Sequence, residues 1–454
     1  MGTFYRSVHA VLRTGSQLLR GRNDRSLRNE LELSQFLEPA ALADLQWRRL
    51  GALLIDAYAH VPFYRARLNA IGLRPEDIHS WEDFERIPVL TRNEIRSQLP
   101  QLKTTARRDG IELRRSGGST GVPMEFYQDA VYYAYWRAAR ARSQSWYGFA
   151  RGDRVANISA APHEMPGHTW SGRLRAAMER QVWLNAFRIT DDRLKAFADN
   201  LVRWRPEFIV GYPAALHIGA RFVLRAGVSI RPRAVQSFGE QLWPFQRTDI
   251  QMAFGCPVVD FYGSRESAPI AAECLSREGL HAMTDLRVVE LLDDQGVPVR
   301  PGEAGRVVIT DLTNYSMPLI RYANDDLATW KLDSQCSCGR TLPLLSSIDG
   351  RTSDMIRTKS GVRIHGFYFM YLFYNLGLAA QGIEQYQVRQ RSLEDLEILI
   401  KPNAAYRDAI RRELEQQIDA YTNSAFRIDF RLVDEIPATP SGKHRFTLSD
   451  LANE

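Results

Sequence analysis

The sequence predicts an α/β protein: a large N-terminal domain with mostly parallel sheets covered by helices, an antiparallel β subdomain, and a small C-terminal α+β domain. Three observations predict it. Apolar runs of strand length alternate with helical patterns in the middle of the chain. Short strands joined by turns follow, and the last hundred or so residues mix both patterns again. Strands that alternate with helices favour a parallel sheet covered on its faces.

Length and composition bound the kind of protein. At 454 residues the chain is long enough for two or three domains. Its 44% hydrophobic and 25% charged content is ordinary for a globular protein. Four cysteines are too few for a disulfide scaffold and favour a reducing compartment. No run reaches the ~18 apolar residues of a membrane helix, and no secretory signal is visible. We therefore expect a cytoplasmic protein with no transmembrane segment.

A basic N-terminal arm is predicted over residues 1–39. The first 29 residues hold six arginines against one acid, Asp24, which gives +5 of the chain's net +6. The remainder is close to neutral, so we expect no nucleic-acid partner, which would require a basic face on the folded domain. The arm fits a solvated first helix, contact with an acidic lipid surface or a partner, or an organellar transit peptide.

The elements of the large domain, predicted over residues 40–350, follow in order. Residues 41–60 and 130–147 have helical spacing. Thr91 and Glu94 form a capping box that begins another helix. Three apolar runs then read as strands, and each ends in a glycine followed by polar residues. Ligands bind at such carboxyl ends in α/β sheets. The three runs are Phe208–Val210, Ala234–Phe238 and Val258–Tyr262.

The second half of the chain changes character. Short strands with turns between residues 286 and 330 indicate an antiparallel β subdomain at about 275–345. A domain boundary is predicted near Gly350, and residues 351–454 form the small, mobile C-terminal domain. Residues 396–400 and 426–432 alternate apolar and polar side chains as strands do, and residues 406–418 carry one apolar helix face.

A glycine-rich loop spans Arg114–Pro123. Its three glycines let the backbone approach a ligand closely, and its hydroxyls add hydrogen-bond donors. Such a loop can wrap phosphates with its N–H groups. The Gly-Lys-Ser/Thr ending of a P-loop is missing, and a polar surface turn is the alternative.

Four further segments follow this loop in a fixed order. Together the five resemble the adenylate-forming superfamily of acyl-CoA ligases and adenylation domains. The segments Ile87–Arg92, Gly239-Glu240 and Met317–Tyr322 are similar to the phenylacetate–CoA ligase branch. The run from the glycine-rich loop into Met124–Tyr127 is most similar to relatives encoded with capsular-polysaccharide genes. The four segments are Phe261–Glu266, Leu319–Leu327, the pair Gly350–Asp354 and Gly361–Ile364 at the domain boundary, and Thr439–Lys443.

The resemblance implies roles for particular residues. Glu266 would hold Mg²⁺ and Lys443 would bridge the α-phosphate and the substrate carboxylate, which makes these two the catalytic residues. Tyr262 would stack on adenine, and Asp326 would accept from the ribose hydroxyls. The nucleotide-binding residues are then Ser116, Ser119, Thr120, Gly121, Gly239, Glu240, Tyr262, Gly263, Ser264, Arg265, Asp326 and Arg351.

The same resemblance implies a hinge and a thiol tunnel. The hinge would comprise Arg351, Ser353 and Asp354, and Gly361 and Arg363 would lie near the coenzyme A tunnel.

Each residue also has a plain structural alternative. Glu266 could be a carboxylate at the N-terminus of a following helix. Asp326 could end a turn, Tyr262 could be a core aromatic, and Lys443 could be an exposed loop lysine.

The chain departs from the family pattern at several positions. Arg265 replaces a frequent small hydroxyl residue and could restore phosphate contacts. Asp325 replaces the glycine before the ribose-binding Asp, and Ser353 stands where an Asp is common in the hinge. Val122 and Gly117 also differ from the usual loop residues.

Three of the four cysteines and one histidine suggest a metal site. Cys274, His281, Cys336 and Cys338 are a Cys₃His set of the kind that closes structural zinc sites, and the resemblance extends to a comparable cluster in some relatives. The alternative is reduced, buried, unligated thiols.

The resemblance implies an ATP- and Mg²⁺-dependent ligase that joins a small carboxylic acid to a thiol, usually coenzyme A, through an acyl-adenylate. An acyl-carrier protein or an amine remains open as acceptor, and so does a homodimer. The competing hypotheses are an adenylate-forming amide ligase or adenylyltransferase, and a degenerate nucleotide-binding protein without turnover.

Overall fold

The computed structural model describes residues 24–116, 124–159, 174, 176–186, 191–351, 355–360, 363–365, 368–369, 372–373, 376, 382–436 and 445–451. The chain divides into two compact units, the first ending at Asp349 and the second beginning at Gly350. No helix in these described ranges is both long enough and apolar enough to span a membrane.

The first unit contains nine described α-helices, one described 3₁₀-helix (Pro75–Asp77) and most of the strands. Its helices are α1 (Asp24–Ser34), α2 (Pro39–His60), α3 (Pro62–Ala70), α4 (Trp81–Glu85), α5 (Arg92–Leu102), α6 (Ala130–Ser145), α7 (Asp191–Trp204), α8 (Pro213–Ala226) and α9 (Pro244–Phe254). Its strands are β1 (Glu112–Arg115), β2 (Glu125–Gln128), β3 (Val155–Ser159), β4 (Gln181–Asn185), β5 (Phe208–Gly211), β6 (Ala234–Phe238), β7 (Val258–Tyr262), β8 (Ala271–Glu273), β9 (Leu280–Ala282), β10 (Arg287–Leu292), β11 (Ala304–Asp311), β12 (Tyr322–Trp330) and β13 (Leu344–Arg351).

Eleven strands of the described chain form one sheet in the order β10-β11-β12-β13-β9-β8-β7-β6-β5-β3-β4. Strands β3 to β7 pair in parallel. From β7 to β8 the pairing becomes antiparallel, and it stays so in β9, β10, β11 and β12. The predicted fold class is confirmed, and the antiparallel strands extend the same sheet that the parallel strands begin.

Helices α7, α8 and α9 cover the parallel half of the sheet with one apolar cluster. Leu216 and Ile250 in this cluster are fully buried, as is Val235 of the sheet beneath them. Strands that helices cover in this way have near-continuous apolar sequences, as β5 and β6 do.

The first helix packs on the first unit although it belongs to the segment predicted as a basic arm. Leu31 of α1 is fully buried against α6. Ser34 Oγ donates to Asp285 Oδ2 at 2.5 Å, and Arg142 pairs with the same carboxylate. The apolar side chains at 27 and 31 lie one turn apart, which gives α1 a face to bury.

The described part of the second unit contains a four-stranded sheet, a separate antiparallel pair of strands, β14 (Met355–Arg357) and β15 (Arg363–His365), and one long helix. The elements of the sheet and the helix are β16 (Ile383–Gln390), β17 (Asp395–Pro402), α10 (Ala409–Thr422), β18 (Arg427–Leu432) and β19 (Thr447–Ser449). The sheet has the order β18-β17-β16-β19. Ile410, Leu414 and Ile418 of α10 pack on it, as their helical spacing predicts.

Candidate active site

The carboxyl end of β7 lies beside the middle of β12. The hydroxyl of Tyr262, the last residue of β7, donates to Asp326 Oδ2 at 2.8 Å. Asn324 Nδ2 donates both to the Tyr262 oxygen at 2.8 Å and to Asp326 Oδ2 at 3.0 Å. These buried side chains orient the Asp326 carboxylate, the predicted acceptor for the ribose hydroxyls.

A β-bulge in β12 produces this geometry. Arg306 of β11 faces Leu327, but Val308 faces Ala323, so the three residues 324–326 lie opposite Val307 alone. Asp325, in the middle of the bulge, has φ +66°. Bulges bend a strand and redirect its side chains. Here the bulge leaves Asn324 and Asp326 both in contact with Tyr262.

Glu266 lies in the loop that follows β7. Its side chain is 2% exposed. Tyr322 Oη donates to Glu266 Oε1 at 3.0 Å, and Arg92 Nη2 lies 3.7 Å from the same oxygen. Residues 263–270 contain no helix, so the alternative that Glu266 caps a helix is wrong. The carboxylate oxygens of Glu266 are the kind of ligand that a hard cation such as Mg²⁺ takes.

Burial controls the protonation of the groups around Glu266. It raises the pKa of Tyr322 well above its ordinary value, and the negative charge of Glu266 raises it further. Tyr322 therefore stays a donor. Burial lowers the pKa of Arg92, but Tyr322 and the carboxylates of Glu266, Asp325 and Asp326 outweigh it and raise the pKa above its usual value. Arg92 is thus the fixed positive charge of the site.

The hairpin of β1 and β2 carries the glycine-rich loop. Ser116 N donates to Met124 O, and Met124 N donates to Ser116 Oγ, both at 2.8 Å. These bonds close the base of the loop. The predicted phosphate-binding residues Ser119, Thr120 and Gly121 lie outside the described residues.

Arg265 extends from the β7 loop toward this hairpin. Its Nη1 donates to the carbonyl of Arg115 at 3.3 Å, directly before Ser116. Gln128 Nε2 holds the backbone of the same loop by donating to Arg265 O at 3.0 Å. Arg265 thus links the β7 loop, which also carries Glu266, to the base of the glycine-rich loop.

The remaining predicted residues of this loop are tightly packed. An added Cβ at Gly263 would lie 2.9 Å from Ala268 Cβ, so only glycine fits there. Ser264 Oγ accepts from Ser267 N at 3.1 Å. The loop is a rigid turn whose backbone leads from Tyr262 to Glu266.

Gly239 and Glu240 follow the neighbouring strand β6. Gly239 has φ +79°, a conformation that glycine adopts without strain. Glu240 Oε2 accepts from Ala214 N at 3.2 Å, in the first turn of α8. The Glu240 carboxylate thus stabilises a helix N-terminus.

Several predicted residues fall outside what the structure describes. These are Lys443, Ser353, Asp354 and Gly361, together with the side chains of Arg351 and Arg363, whose backbones lie in β13 and β15. The hinge, the thiol tunnel and the catalytic lysine therefore stay predictions.

The Cys/His cluster assembles in the first unit. The potential ligand atoms of Cys274, His281, Cys336 and Cys338 all lie within 4.8 Å of one another. The sulfurs of Cys274 and Cys336 are 3.7 Å apart, and His281 Nε2 lies 3.4 Å from the Cys338 sulfur. His281 Nδ1 faces the carbonyl of Leu342 at 3.3 Å. A hydrogen bond at this second nitrogen orients metal-binding histidines in proteins.

The surroundings of the cluster favour a neutral histidine. Burial lowers the pKa of His281 to about 4. Burial raises the pKa of Cys336 to about 12. At Cys338 burial also raises the pKa, but hydrogen bonds from Arg340 outweigh it and lower the pKa below its usual value. A neutral imidazole with one thiol already disposed to ionise suits a metal ion.

Sequence reasoning did not assign a role to three residues of the site: Arg92, Tyr322 and Asn324. All three stand in the motifs that carried the resemblance. The signal was therefore present, but their contacts with Glu266 and Tyr262 depend on how β12 bends, which no spacing reveals.

The chain is similar in sequence to several known proteins. The family model described as the CapK C-terminal domain matches residues 356–450. The chain is 29% identical over 332 residues to a phenylacetate–coenzyme A ligase of Thermus thermophilus, covering 71% of this chain and 73% of that one. It is 23% identical to the protein CapK of Staphylococcus aureus, covering 92% of each chain.

Among solved structures, a 2-hydroxyisobutyryl-CoA ligase in the post-adenylation state superimposes with a TM-score of 0.73. The two chains are 22% identical, and the match covers 92% of this chain and 91% of the other. At this identity the likeness shows the fold.

Proposed function

Because this chain belongs to the adenylate-forming superfamily, in the branch of the phenylacetate–coenzyme A ligases and CapK, we propose that it is an AMP-forming acid–thiol ligase. It would activate a small carboxylic acid with ATP and transfer the acyl group to a thiol. The observation that carries the proposal is that the end of β7 and its loop are bonded to β12, about 60 residues away: Tyr262 to Asp326, and Glu266 to Tyr322.

The chemistry of the first step sets what the site must supply. A carboxylate attacks the α-phosphorus of ATP, the bond to pyrophosphate breaks, and an acyl-adenylate forms. Two anions meet in this step, so catalysis depends on positioning and on stabilising negative charge.

The described residues match those needs in part. Asp326, held by Tyr262 and Asn324, would accept from the ribose hydroxyls. Glu266 would hold Mg²⁺, which supplies charge neutralisation at the phosphates. Its burial and its carboxylate oxygens fit a hard cation. Arg265 and Ser116 would contact the phosphates at the base of the glycine-rich loop.

The small C-terminal domain, residues 351–454, would deliver Lys443 to the α-phosphate. After adenylation it would turn about Arg351–Asp354 and bring the thiol tunnel, with Gly361 and Arg363, to the acyl-adenylate. Coenzyme A is the acceptor that the ligase relatives support. A carrier-protein thiol or an amine is the alternative acceptor.

The test of the proposal is carboxylate-dependent ATP–pyrophosphate exchange without coenzyme A. The panel should contain aryl, arylacetic, fatty, amino and sugar acids. Exchange with one class establishes adenylation and names the substrate type. Absence of exchange with every acid, together with tight ATP binding, would favour a nucleotide-binding protein without turnover.

The Lys443→Ala variant tests the lysine separately. We expect it to lose exchange but to keep thiolation of a supplied acyl-adenylate, because the lysine stabilises charge only at the α-phosphate. The control is Lys401→Ala, which removes an ion pair with Glu384 on the second unit's sheet. Unchanged exchange in Lys443→Ala would contradict the assignment.

We also propose that Cys274, His281, Cys336 and Cys338 bind one structural Zn²⁺. Tetrahedral zinc with Zn–S bonds of about 2.3 Å places sulfurs about 3.8 Å apart, close to the 3.7 Å between Cys274 and Cys336. Metal analysis should give about one zinc per chain, and Cys336→Ser should lose it. Cys256→Ala is the matched control, because Cys256 lies outside the cluster. Stable protein without metal would refute the site.

A further inference from the structure

Leu90 is fixed to the beginning of β12, two residues before helix α5 begins. Leu90 N donates to Arg321 O at 2.8 Å, and Ala323 N donates to Leu90 O at 3.0 Å. Thr91 then caps α5 by accepting from Glu94 N. The backbone of Arg92 is therefore held against the strand that carries Tyr322, Asn324 and Asp326.

From this position the Arg92 side chain reaches both halves of the nucleotide site. Its Nη2 donates to the carbonyl of Asn324 at 3.0 Å and lies 3.7 Å from Glu266 Oε1. Its Nε lies 2.7 Å from Asp325 Oδ2. One guanidinium, 12% exposed, thus contacts the proposed Mg²⁺ ligand and the bulge that carries the proposed ribose acceptor.

The contact with Asp325 supports a strained part of the backbone. Asp325 has φ +66°, in the left-handed region that favours glycine. A non-glycine residue in this region is strained and persists only where neighbours hold it. The Arg92 guanidinium is such a neighbour, so the ion pair stabilises the bulge that directs Asp326 toward Tyr262.

The charges of the site also require a cation. Glu266, Asp325 and Asp326 place three carboxylates around Arg92, and ATP brings further negative charge. Without Arg92, the two ends of the site, the carboxylate for Mg²⁺ and the carboxylate for ribose, would repel each other and the nucleotide.

We propose that Arg92 is a positioning residue that holds Glu266 and the Asp325–Asp326 bulge in one arrangement, so that Mg²⁺ and ATP bind cooperatively. The inference rests on the proposed function, since it assumes the nucleotide site. It adds that the tightening of ATP binding by Mg²⁺ depends on Arg92, through its contacts with Glu266 and with the bulge of β12.

The experiment measures the dissociation constant of ATP by calorimetry, with Mg²⁺ and with a chelator, and without any acid substrate. The dissociation constant measured with the chelator, divided by the one measured with Mg²⁺, reports the coupling between metal and nucleotide. We expect Arg92→Met to reduce this ratio about tenfold, the effect of losing one charge-assisted contact. Arg86→Met, which removes an exposed arginine near Asp83, should keep the wild-type ratio.

A double-mutant cycle separates positioning from simple support of the bulge. Asp325→Gly removes the partner and relaxes the strained backbone. If Arg92 acted only through Asp325, then adding Arg92→Met to Asp325→Gly would change the ratio no further, and that result would overturn the inference. We expect a further loss, because the contact with Glu266 remains in Asp325→Gly.

The outcomes distinguish the inference from the function on which it rests. Wild-type protein that binds no ATP would overturn both. Wild-type coupling that survives Arg92→Met would overturn the inference alone. Should Arg92→Met fail to fold, Arg92→Lys replaces it: it keeps the charge but not the fork of donors. A reduced ratio in folded Arg92→Lys supports the proposal, and a wild-type ratio contradicts it.

Discussion

Asp260 lies in β7, two residues before the proposed adenine-stacking Tyr262. Ser237 Oγ donates to its Oδ1 at 2.6 Å. Glu273 lies beside it and accepts from the Asp260 N–H, while Arg247 donates to both oxygens of Glu273 at 2.9 Å. Burial and, to a lesser extent, the charge of Glu273 together raise the pKa of Asp260 to about 7. The hydrogen bonds of Arg247 to a carboxylate thus go to Glu273.

A pH dependence of stability follows from this residue. The pKa of Asp260 is about 7 in the folded protein, whereas the ordinary pKa of an aspartate is 3.8. The folded protein therefore holds a proton that the unfolded chain releases between these values, so this contribution to stability is lost as pH rises toward 7. Asp260→Asn does not titrate. Relative to wild type, it should gain more than about 1 kcal/mol in unfolding free energy between pH 5 and pH 8, since one pKa unit is about 1.4 kcal/mol.

Urea unfolding of both proteins at the two pH values measures this gain. Asn keeps an oxygen that can accept from Ser237, so the substitution leaves that hydrogen bond available. If the unfolding free energy changed equally with pH in the wild type and in Asp260→Asn, that would contradict the assignment of a raised pKa to Asp260.

At the same scale, residue types were predictable from the sequence but their contacts were not. The motifs that contain Glu266 and Asp326 also contain Tyr322 and Arg92. Glu266 and Tyr322 are 56 residues apart, so no local period relates them. Asp325 was recognised as a departure, but its pairing with Arg92 depends on a positive φ that composition does not reveal.

At the scale of elements, helix α3 supports the strand that carries the site. Tyr64 of α3 is buried, and its hydroxyl donates to Pro318 O at 2.8 Å and accepts from Ile320 N at 3.0 Å. Burial is the main reason that its pKa is raised above its ordinary value, so the hydroxyl stays protonated. These bonds fix the segment that leads into β12.

Removing that hydroxyl should therefore destabilise the first unit. Tyr64→Phe leaves the buried Pro318 carbonyl and Ile320 N–H without this partner, a loss of about 1–3 kcal/mol. The midpoint of urea unfolding measures it. The matched control is Tyr58→Phe on the preceding helix, α2. It removes an exposed hydrogen bond to Asn69 of α3 and should cost less unfolding free energy. Equal losses in the two variants would show that the Tyr64 bonds do not anchor β12.

The boundaries of strands and helices were predictable where a local residue pattern, such as a terminal glycine or a capping box, marks them. The strands Ala234–Phe238 and Val258–Tyr262 have the predicted bounds, because apolar runs end at glycine or at a polar turn. The capping box at Thr91 is likewise present. The bulge in β12 was not predicted, since its register is set by pairing with β11 and not by residues within β12.

At the scale of the whole molecule, the sequence predicted the fold class and the change from parallel to antiparallel pairing. It did not predict that both kinds of strand join one sheet, because strand order depends on contacts between distant segments. Nor did it predict that α1 packs on the first unit. The six arginines in the first 29 residues indicated a solvated segment, although Leu27 and Leu31 give this helix an apolar face.

The Cys/His cluster is linked to this N-terminal helix by contacts between distant parts of the chain. Arg340 Nε donates to Gln35 Oε1 at 3.0 Å, across 305 residues. Thr341 N donates to Gln35 O at 3.0 Å, and Thr341 Oγ1 donates to Leu37 O at 2.6 Å. Gln35 Oε1 also accepts from Trp146 Nε1 at 2.7 Å. The loop that carries Cys336 and Cys338 thus holds the connection between α1 and α2.

Removal of the proposed metal should therefore loosen the connection between α1 and α2. Phe36 in that connection is half exposed and is a site for chymotrypsin. With a strong chelator, cleavage after Phe36 should accelerate about tenfold, the change expected if bound metal contributes about 1.4 kcal/mol against local opening. Cys336→Ser should show the fast rate without chelator, and Cys256→Ala should follow wild type in both conditions. Loss of zinc with an unchanged cleavage rate would show that the metal and the N-terminal helix are independent, and that Arg340 and Thr341 hold their positions through protein contacts alone.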